Sequence, residues 1–231
     1  MGGDVGPRVN VPAAVQAAKE GIHITLVGDE VALRAELARC EATEGLPIDI
    51  VHATQVVDMD EKPSDALRRK KDSSIQVACQ LVKDGRADGV VSAGNSGASV
   101  ACGMFVLGRV KGVERPALAS IMPTEKNPIV LIDVGANVDS KPFHLAQFGL
   151  MGDVLARDVL GVDRPRVGLL SIGEEEGKGN VVVKEAYDLL KQTSLNFVGN
   201  VEGRDIFTGD LDVAVCDGCV GNICLKLSAG L

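Results

Sequence analysis

Ile129-Val130-Leu131-Ile132-Asp133-Val134-Gly135-Ala136-Asn137 decides how the rest of the chain is read. Its large aliphatic residues follow one another without polar alternation, which marks a strand buried on both faces and hence a parallel sheet covered by helices. The run then breaks into glycine beside Asp and Asn. The same pattern recurs at Ser92-Ala93-Gly94-Asn95-Ser96-Gly97, Ser171-Ile172-Gly173-Glu174-Glu175, Gly199-Asn200-Val201-Glu202-Gly203-Arg204-Asp205 and Cys216-Asp217-Gly218-Cys219-Val220-Gly221-Asn222. Parallel strands present their carboxyl ends on one edge, where open α/β proteins bind ligands, so the five junctions are expected to line one site.

Outward from that stretch, strands are expected at residues 22–27, 48–52, 89–92, 129–134, 166–172, 196–201 and 212–215. Helical segments are expected at 12–19, 30–42, 64–84, 98–109, 143–160 and 178–192. Strand and helix alternate, which argues for an α/β fold of three layers, αβα, with a mostly parallel sheet. There is no repeat, low-complexity tract or long linker, so the reading is one domain over residues 1–231. Its ends read as incomplete: Met1-Gly2-Gly3-Asp4 resembles a loop with no strand before it, and Gly221 to Leu227 the first turns of a helix that soon stops.

Composition narrows the function. A net charge of −8, with one Tyr, five Phe and no Trp, supplies neither the basic surface nor the stacking platforms of a nucleic-acid binder. Six scattered cysteines lack the density of a secreted disulfide scaffold, which points to a reducing cytoplasm. Cys216 and Cys219 form a C-x-x-C without a second ligand pair, and read as buried thiols flanking a glycine turn. His23, His52 and His144 share no motif with a nucleophile and read as structural. No apolar stretch approaches the roughly 20 residues of a membrane span, and no signal peptide opens the chain.

A glycine after a buried strand lets the backbone approach a ligand, and the following helix offers unpaired N–H groups and the positive end of its dipole. Such a place favours phosphate. Asn95-Ser96-Gly97 fits best, because Asn and Ser are good N-caps and a credible helix follows. Glu174-Glu175-Glu176 reads as an acidic run favouring the start of a helix at Lys178, ahead of a metal or acid–base role. Arg68-Arg69-Lys70-Lys71 is the densest positive charge of an acidic chain and reads either as a solvated face or as a grip on an anion. The dinucleotide fingerprint and the P-loop are both absent, so the phosphate site comes without a nucleotide motif.

Read in order, these motifs resemble the PlsX family of bacterial phosphate acyltransferases. Met1-Gly2-Gly3-Asp4 is similar to that family's amino-terminal MGGD, and Ala66 to Ser74 to its basic segment. The stretches 92–98, 133–137, 172–175, 200–205 and 217–222 follow in the family's order. Ser96 stands where many members have Thr, and Cys219 where Phe is common. The resemblance implies a fold similar to isocitrate dehydrogenases and phosphotransacetylases, a homodimer, and no metal or organic cofactor. It implies transfer of a long-chain fatty acyl group from acyl carrier protein to inorganic phosphate, in the cytoplasm, with a peripheral membrane contact through sequence beyond Leu231.

On that reading Asn95, Lys178 and Asp217 are the catalytic candidates, Lys178 offsetting charge and Asp217 orienting a donor or accepting a proton. Ser96, Gly97, Gly135 and Asn137, together with Asn95, would hold phosphate or the thioester oxygen, and Asn180 and Asn222 would line the same pocket. Arg68, Arg69, Lys70 and Lys71 would dock the acidic carrier protein or funnel phosphate. Two other readings compete: a phosphotransacetylase-like enzyme using acyl-coenzyme A, and a non-catalytic phosphate- or acyl-binding regulator of lipid synthesis.

Overall fold

A computed structural model describes residues 1–230, which divide into two compact units, Met1–Val110 and a second that begins at Lys111. In the first, α1 (Pro7–Lys19) leads to β1 (Ile24–Gly28), α2 (Glu30–Leu37) and β2 (Ile48–His52). The two strands pair in parallel, Ile24 opposite Ile48, over a core of Val11, Leu26 and Leu33. Pro7 opens α1 where its missing N–H costs nothing, and the Asp29 carboxylate caps α2 by accepting from the Ala32 N–H at 2.7 Å.

Next come α3 (Pro63–Arg69), α4 (Ser74–Lys83) and α5 (Ser96–Cys102), the last continuing as a π-helical turn over Gly103–Leu107. The single helix expected over 64–84 is therefore broken. The Asp72 carboxylate accepts from the Thr54 N–H and hydroxyl at 2.8 and 2.6 Å, while the Asp72 N–H donates to the Gln55 side chain at 3.0 Å. Those bonds hold residues 70–73 to an extended segment and out of a helix. The strand expected at 89–92 does not form: these residues are bonded to no neighbouring strand, and Val91 is fully exposed.

The second unit carries the layered architecture. Its elements are β3 (Ala119–Met122), β4 (Ile129–Ile132), α6 (Pro142–Leu160), β5 (Arg166–Leu170), α7 (Val181–Lys191), β6 (Asn196–Val201), α8 (Asp205–Thr208), β7 (Val213–Val215) and α9 (Gly218–Ala229). The sheet order is β3-β4-β7-β5-β6, with β4, β7, β5 and β6 parallel and β3 antiparallel at one edge. Val130, Ile132, Val167, Leu169, Val213 and Val215 pack under α6 and α7, whereas Leu131, Leu170, Val201 and Ala214 pack under α8 and α9. The expected three-layer αβα arrangement with a mostly parallel sheet is thus present. The structure adds β3, whose Ser120 and Ile121 sit among partly exposed neighbours and give no continuous apolar run.

Because four strands are parallel, the junctions after β4, β5, β6 and β7 share the carboxyl edge of this sheet. The fifth junction, 92–97, belongs to the other unit and ends no strand. The expectation of five strand ends on one sheet is corrected to four.

Candidate active site

The carboxyl edge has two halves of different character. At the ends of β4 and β7 the Asp133 carboxylate is completely buried and accepts five hydrogen bonds. Oδ1 takes the N–H groups of Leu118, Gly135 and Ala136 at 3.1, 3.2 and 2.9 Å, and Oδ2 takes the backbone N–H and Nδ2 of Asn137, both at 2.8 Å. Asn137 Nδ2 also donates to the Pro116 carbonyl at 2.7 Å, and the Asn137 carbonyl accepts from the Gly218 N–H at 2.8 Å. The Gly135 and Asn137 amides, which the sequence reading aimed at an anion, are therefore directed at a carboxylate of the protein itself.

The start of α9 is equally engaged. Asp217 caps it, Oδ1 accepting from the Cys219 and Val220 N–H groups at 2.9 Å each, so these N–H groups are not left open to a ligand. Two glycines are here for space. A Cβ at Gly218 would lie 2.7 Å from the Asn137 carbonyl oxygen, and one at Gly221 would overlap the Asp133 carbonyl and lie 2.8 Å from Cys216 Sγ. Of the candidates in this half, the half-buried Asn222 keeps its side-chain amide without a hydrogen bond to a described residue, lying against Gly135. Cys216 is buried, and desolvation raises its thiol pKa. Cys219 is exposed, so the reading of two buried thiols holds for the first alone.

The ends of β5 and β6 are more open. Lys178 stands in the loop between β5 and α7 with about half its side chain exposed, and its nearest carboxylate, Glu175, is 4.0 Å away. Asn180 is the N-cap of α7, accepting from the Val183 N–H at 2.9 Å. The helix therefore begins at Val181 and not, as expected from sequence, at Lys178, which leaves the glutamate run further ahead of its first turn. Glu174 and Glu176 pair with Arg204 and Lys191 at 2.9 and 3.1 Å. Asn200, given no role from sequence, is 5% exposed and donates from Nδ2 to the Glu175 carbonyl at 2.9 Å. Its place in the junction 199–205 was the signal available for it.

In the first unit, Asn95 caps α5 through Oδ1, which accepts from the Ala98 N–H at 2.9 Å. Its Nδ2 donates to the carbonyls of Asp58, Met59 and Glu61 at 3.1, 3.1 and 2.9 Å. Its side chain thus fastens one loop to another, with Ser96 exposed beside it and Gly97 against Pro63. Of the basic segment, Arg68, Arg69 and Lys71 are exposed. Lys70 instead binds Glu61 and donates to the Val56 carbonyl at 2.6 Å. The hydrogen bond between Lys70 and Glu61 holds the carboxyl below, and the ammonium above, their ordinary pKa ranges. Among the described residues no three His, Cys, Asp or Glu side chains are grouped to hold a metal. His144 caps α6, His23 pairs with Asp49, and His52 accepts from the Glu30 N–H.

A family described as fatty acid synthesis protein matches residues 1–231. The phosphate acyltransferase of Nitratidesulfovibrio vulgaris strain DP4 is 68% identical over 233 residues, covering 100% of this chain and 67% of that protein. The chain belongs to the PlsX family of phosphate acyltransferases. The phosphate acyltransferase of Lawsonia intracellularis is 65% identical with the same coverage, so this PlsX chain spans about two thirds of the length of these relatives. Among solved structures, the EutD phosphotransacetylase of Staphylococcus aureus shares the fold, with a TM-score of 0.67 at 17% identity over 97% of this chain and 80% of its own. As a family member the protein is an acyltransferase, and none of its described helices is long and apolar enough to cross a membrane.

Proposed function

We propose that this protein transfers a long-chain fatty acyl group from acyl carrier protein to inorganic phosphate, giving acyl phosphate. The observation that carries the reading is the match to phosphate acyltransferases over the whole of this chain. A phosphate oxygen attacks the thioester carbonyl, the carbon–sulfur bond breaks, and the carrier thiolate leaves and takes up a proton. Phosphate, with a second pKa of about 6 to 7, is already substantially dianionic at neutral pH, and a leaving thiol of pKa about 8.5 departs with little acid help. Holding the nucleophile in line and stabilising the oxyanion are the tasks left to the protein.

Lys178 offsets charge on phosphate, and the Asn222 amide donates to the substrate. Ser96 and Gly97 contribute to phosphate binding. Asp217, Asn137, Gly135, Asn180 and Asn95 act through the backbone they hold, with the second Asp217 oxygen orienting a donor. An apolar acyl chain is supported by exposed aliphatic residues at and leading away from this sheet edge: Ile172, and Val220, Ile223 and Leu227 along α9. The last three recur at i, i+3 and i+7 and share one helix face. Arg68, Arg69 and Lys71 offer exposed cations to the acidic carrier protein, while Lys70 supports the loop behind them.

The assay uses full-length protein, phosphate, and either long-chain acyl carrier protein or acetyl-coenzyme A, with hydroxylamine trapping of acyl phosphate. The reading expects product from the first donor. Product from acetyl-coenzyme A alone would favour phosphotransacetylase chemistry, and saturable binding without product would favour a regulator. The homodimer and the peripheral membrane contact are checked by light scattering and by vesicle flotation.

A further inference from the structure

We propose that Asn200 is the positioning residue for Lys178, fixing from beneath the turn that carries the ammonium. The proposal rests on the reading that Lys178 acts on phosphate. The Glu175 carbonyl accepts two hydrogen bonds, from the Lys178 N–H at 2.9 Å and from Asn200 Nδ2 at 2.9 Å. The first closes the four-residue turn 175–178, and the second ties that turn to β6, 25 residues along the chain.

The rest of the loop converges on the same support. A Cβ at Gly173 would lie 3.0 Å from Lys178 Cγ, so the lysine stem runs close over the backbone there. A Cβ at Gly179 would lie 3.0 Å from Ser171 Oγ, so the returning chain crosses directly over that hydroxyl. The ion pair with Glu175 cannot set the ammonium, because it is 4.0 Å long between exposed groups, and such pairs contribute little. Backbone fixation is what remains.

Asparagine is a costly choice for this purpose alone. Asn200 is 5% exposed on a strand, and its Oδ1 is buried without a partner, as is Ser171 Oγ. Leu169 lies opposite Asn200, and Ser171 follows two residues later, so both polar side chains are on the same face of the sheet. A buried polar group with unused hydrogen-bonding capacity disfavours folding, and an aliphatic side chain would suit the strand better. Its Nδ2 bond to the Lys178 turn accounts for its presence.

The test is a double-mutant cycle in the full-length protein, following acyl phosphate formation against phosphate concentration, with thermal midpoints measured alongside. Lys178→Met is expected to lower kcat/KM on the order of 10²-fold, as misplacement of a positioned group does. Asn200→Val should lower kcat/KM by a large part of that factor at an unchanged or higher midpoint. The double variant should be no worse than Lys178→Met alone, because Asn200 acts through Lys178. If Lys178→Met retains full activity, the role given to Lys178 fails and takes this inference with it. If Lys178→Met is impaired but Asn200→Val is fully active, or the two losses multiply, only the inference fails.

Asn200→Asp, similar in shape but without the donor, replaces Asn200→Val should that variant not fold, with the same kinetic expectations and a lower midpoint from the buried carboxylate. Hydrogen exchange supplies a reading that needs no variant. The Lys178 amide should be protected in the wild type, and rapid exchange there would overturn the proposal.

Discussion

The end of β4 and β7 and the end of β5 and β6 are built from the same residue types and do different work. In the first, Asp133, Asn137, Asp217 and two glycines satisfy one another, and there is no room for a further Cβ. In the second, Lys178 reaches solvent from a turn fastened by one buried amide, above two polar atoms without partners. Glycine beside Asn or Asp can therefore mean a rigid frame as readily as a ligand cradle. Whether the polar atoms have already found partners within the chain separates the two cases.

The largest effect should come from crowding the frame. Gly221→Ala places a methyl group on the Asp133 carbonyl, which cannot move without disturbing five hydrogen bonds, so a loss of about 3 kcal/mol or more is expected, at the upper end of overpacking costs. A denaturant titration checks it; an unchanged midpoint would mean that the frame is soft. Asp133→Asn keeps the shape but turns one acceptor into a donor facing N–H groups. Hydrogen bonds to charged groups contribute about 1.5–3 kcal/mol, so a loss of about 2 kcal/mol is expected by the same titration. Activity per folded molecule should fall less than the folded fraction does.

The smallest effect concerns the basic segment. Glu61 has a lowered pKa through its hydrogen bond to Lys70, so that contribution to stability is present above the ordinary carboxylate pKa and is lost as pH falls through the lower folded value. The Lys70 pKa is raised, so its contribution is present below the ordinary lysine value and is lost as pH rises through the folded one. Lys70→Met should flatten the acid limb of a stability profile. Arg68→Ala and Arg69→Ala should leave that limb unchanged while weakening carrier-protein binding in a salt-dependent way. An identical acid limb in all three variants would remove the distinction drawn between Lys70 and its neighbours.

The same contrast explains what the sequence could disclose. Strands β4, β5 and β7 announce themselves as apolar runs, because a strand buried on both faces has no polar side to show. The edge strand β3 has such a side and was missed. Residues 89–92 have the composition of a strand without a partner to complete one. Asp72 broke an expected helix through bonds to Thr54 and Gln55, which lie too far along the chain for periodicity to reveal. At the site, Asn95 was legible as a cap residue, since a cap is local, whereas Asn180 and Asp217, read from sequence as pocket residues, are caps in the structure. That Asn137 also reaches Pro116 and that Asn200 reaches Glu175 are contacts across 21 and 25 residues that periodicity does not disclose.

The central claim is that Lys178 on the open turn serves chemistry, whereas the buried Asp133–Asn137 network of the closed frame serves stability. Its most direct test measures both quantities on two variants of the full-length protein, Lys178→Met and Asn137→Ala. The account predicts that Lys178→Met melts with the wild type while acyl phosphate formation falls on the order of 10²-fold. It predicts that Asn137→Ala loses about 1–3 kcal/mol, the cost of leaving buried partners unsatisfied, and loses activity only in proportion to unfolding. The opposite pattern, an active Lys178→Met and a stable but inactive Asn137→Ala, would contradict it.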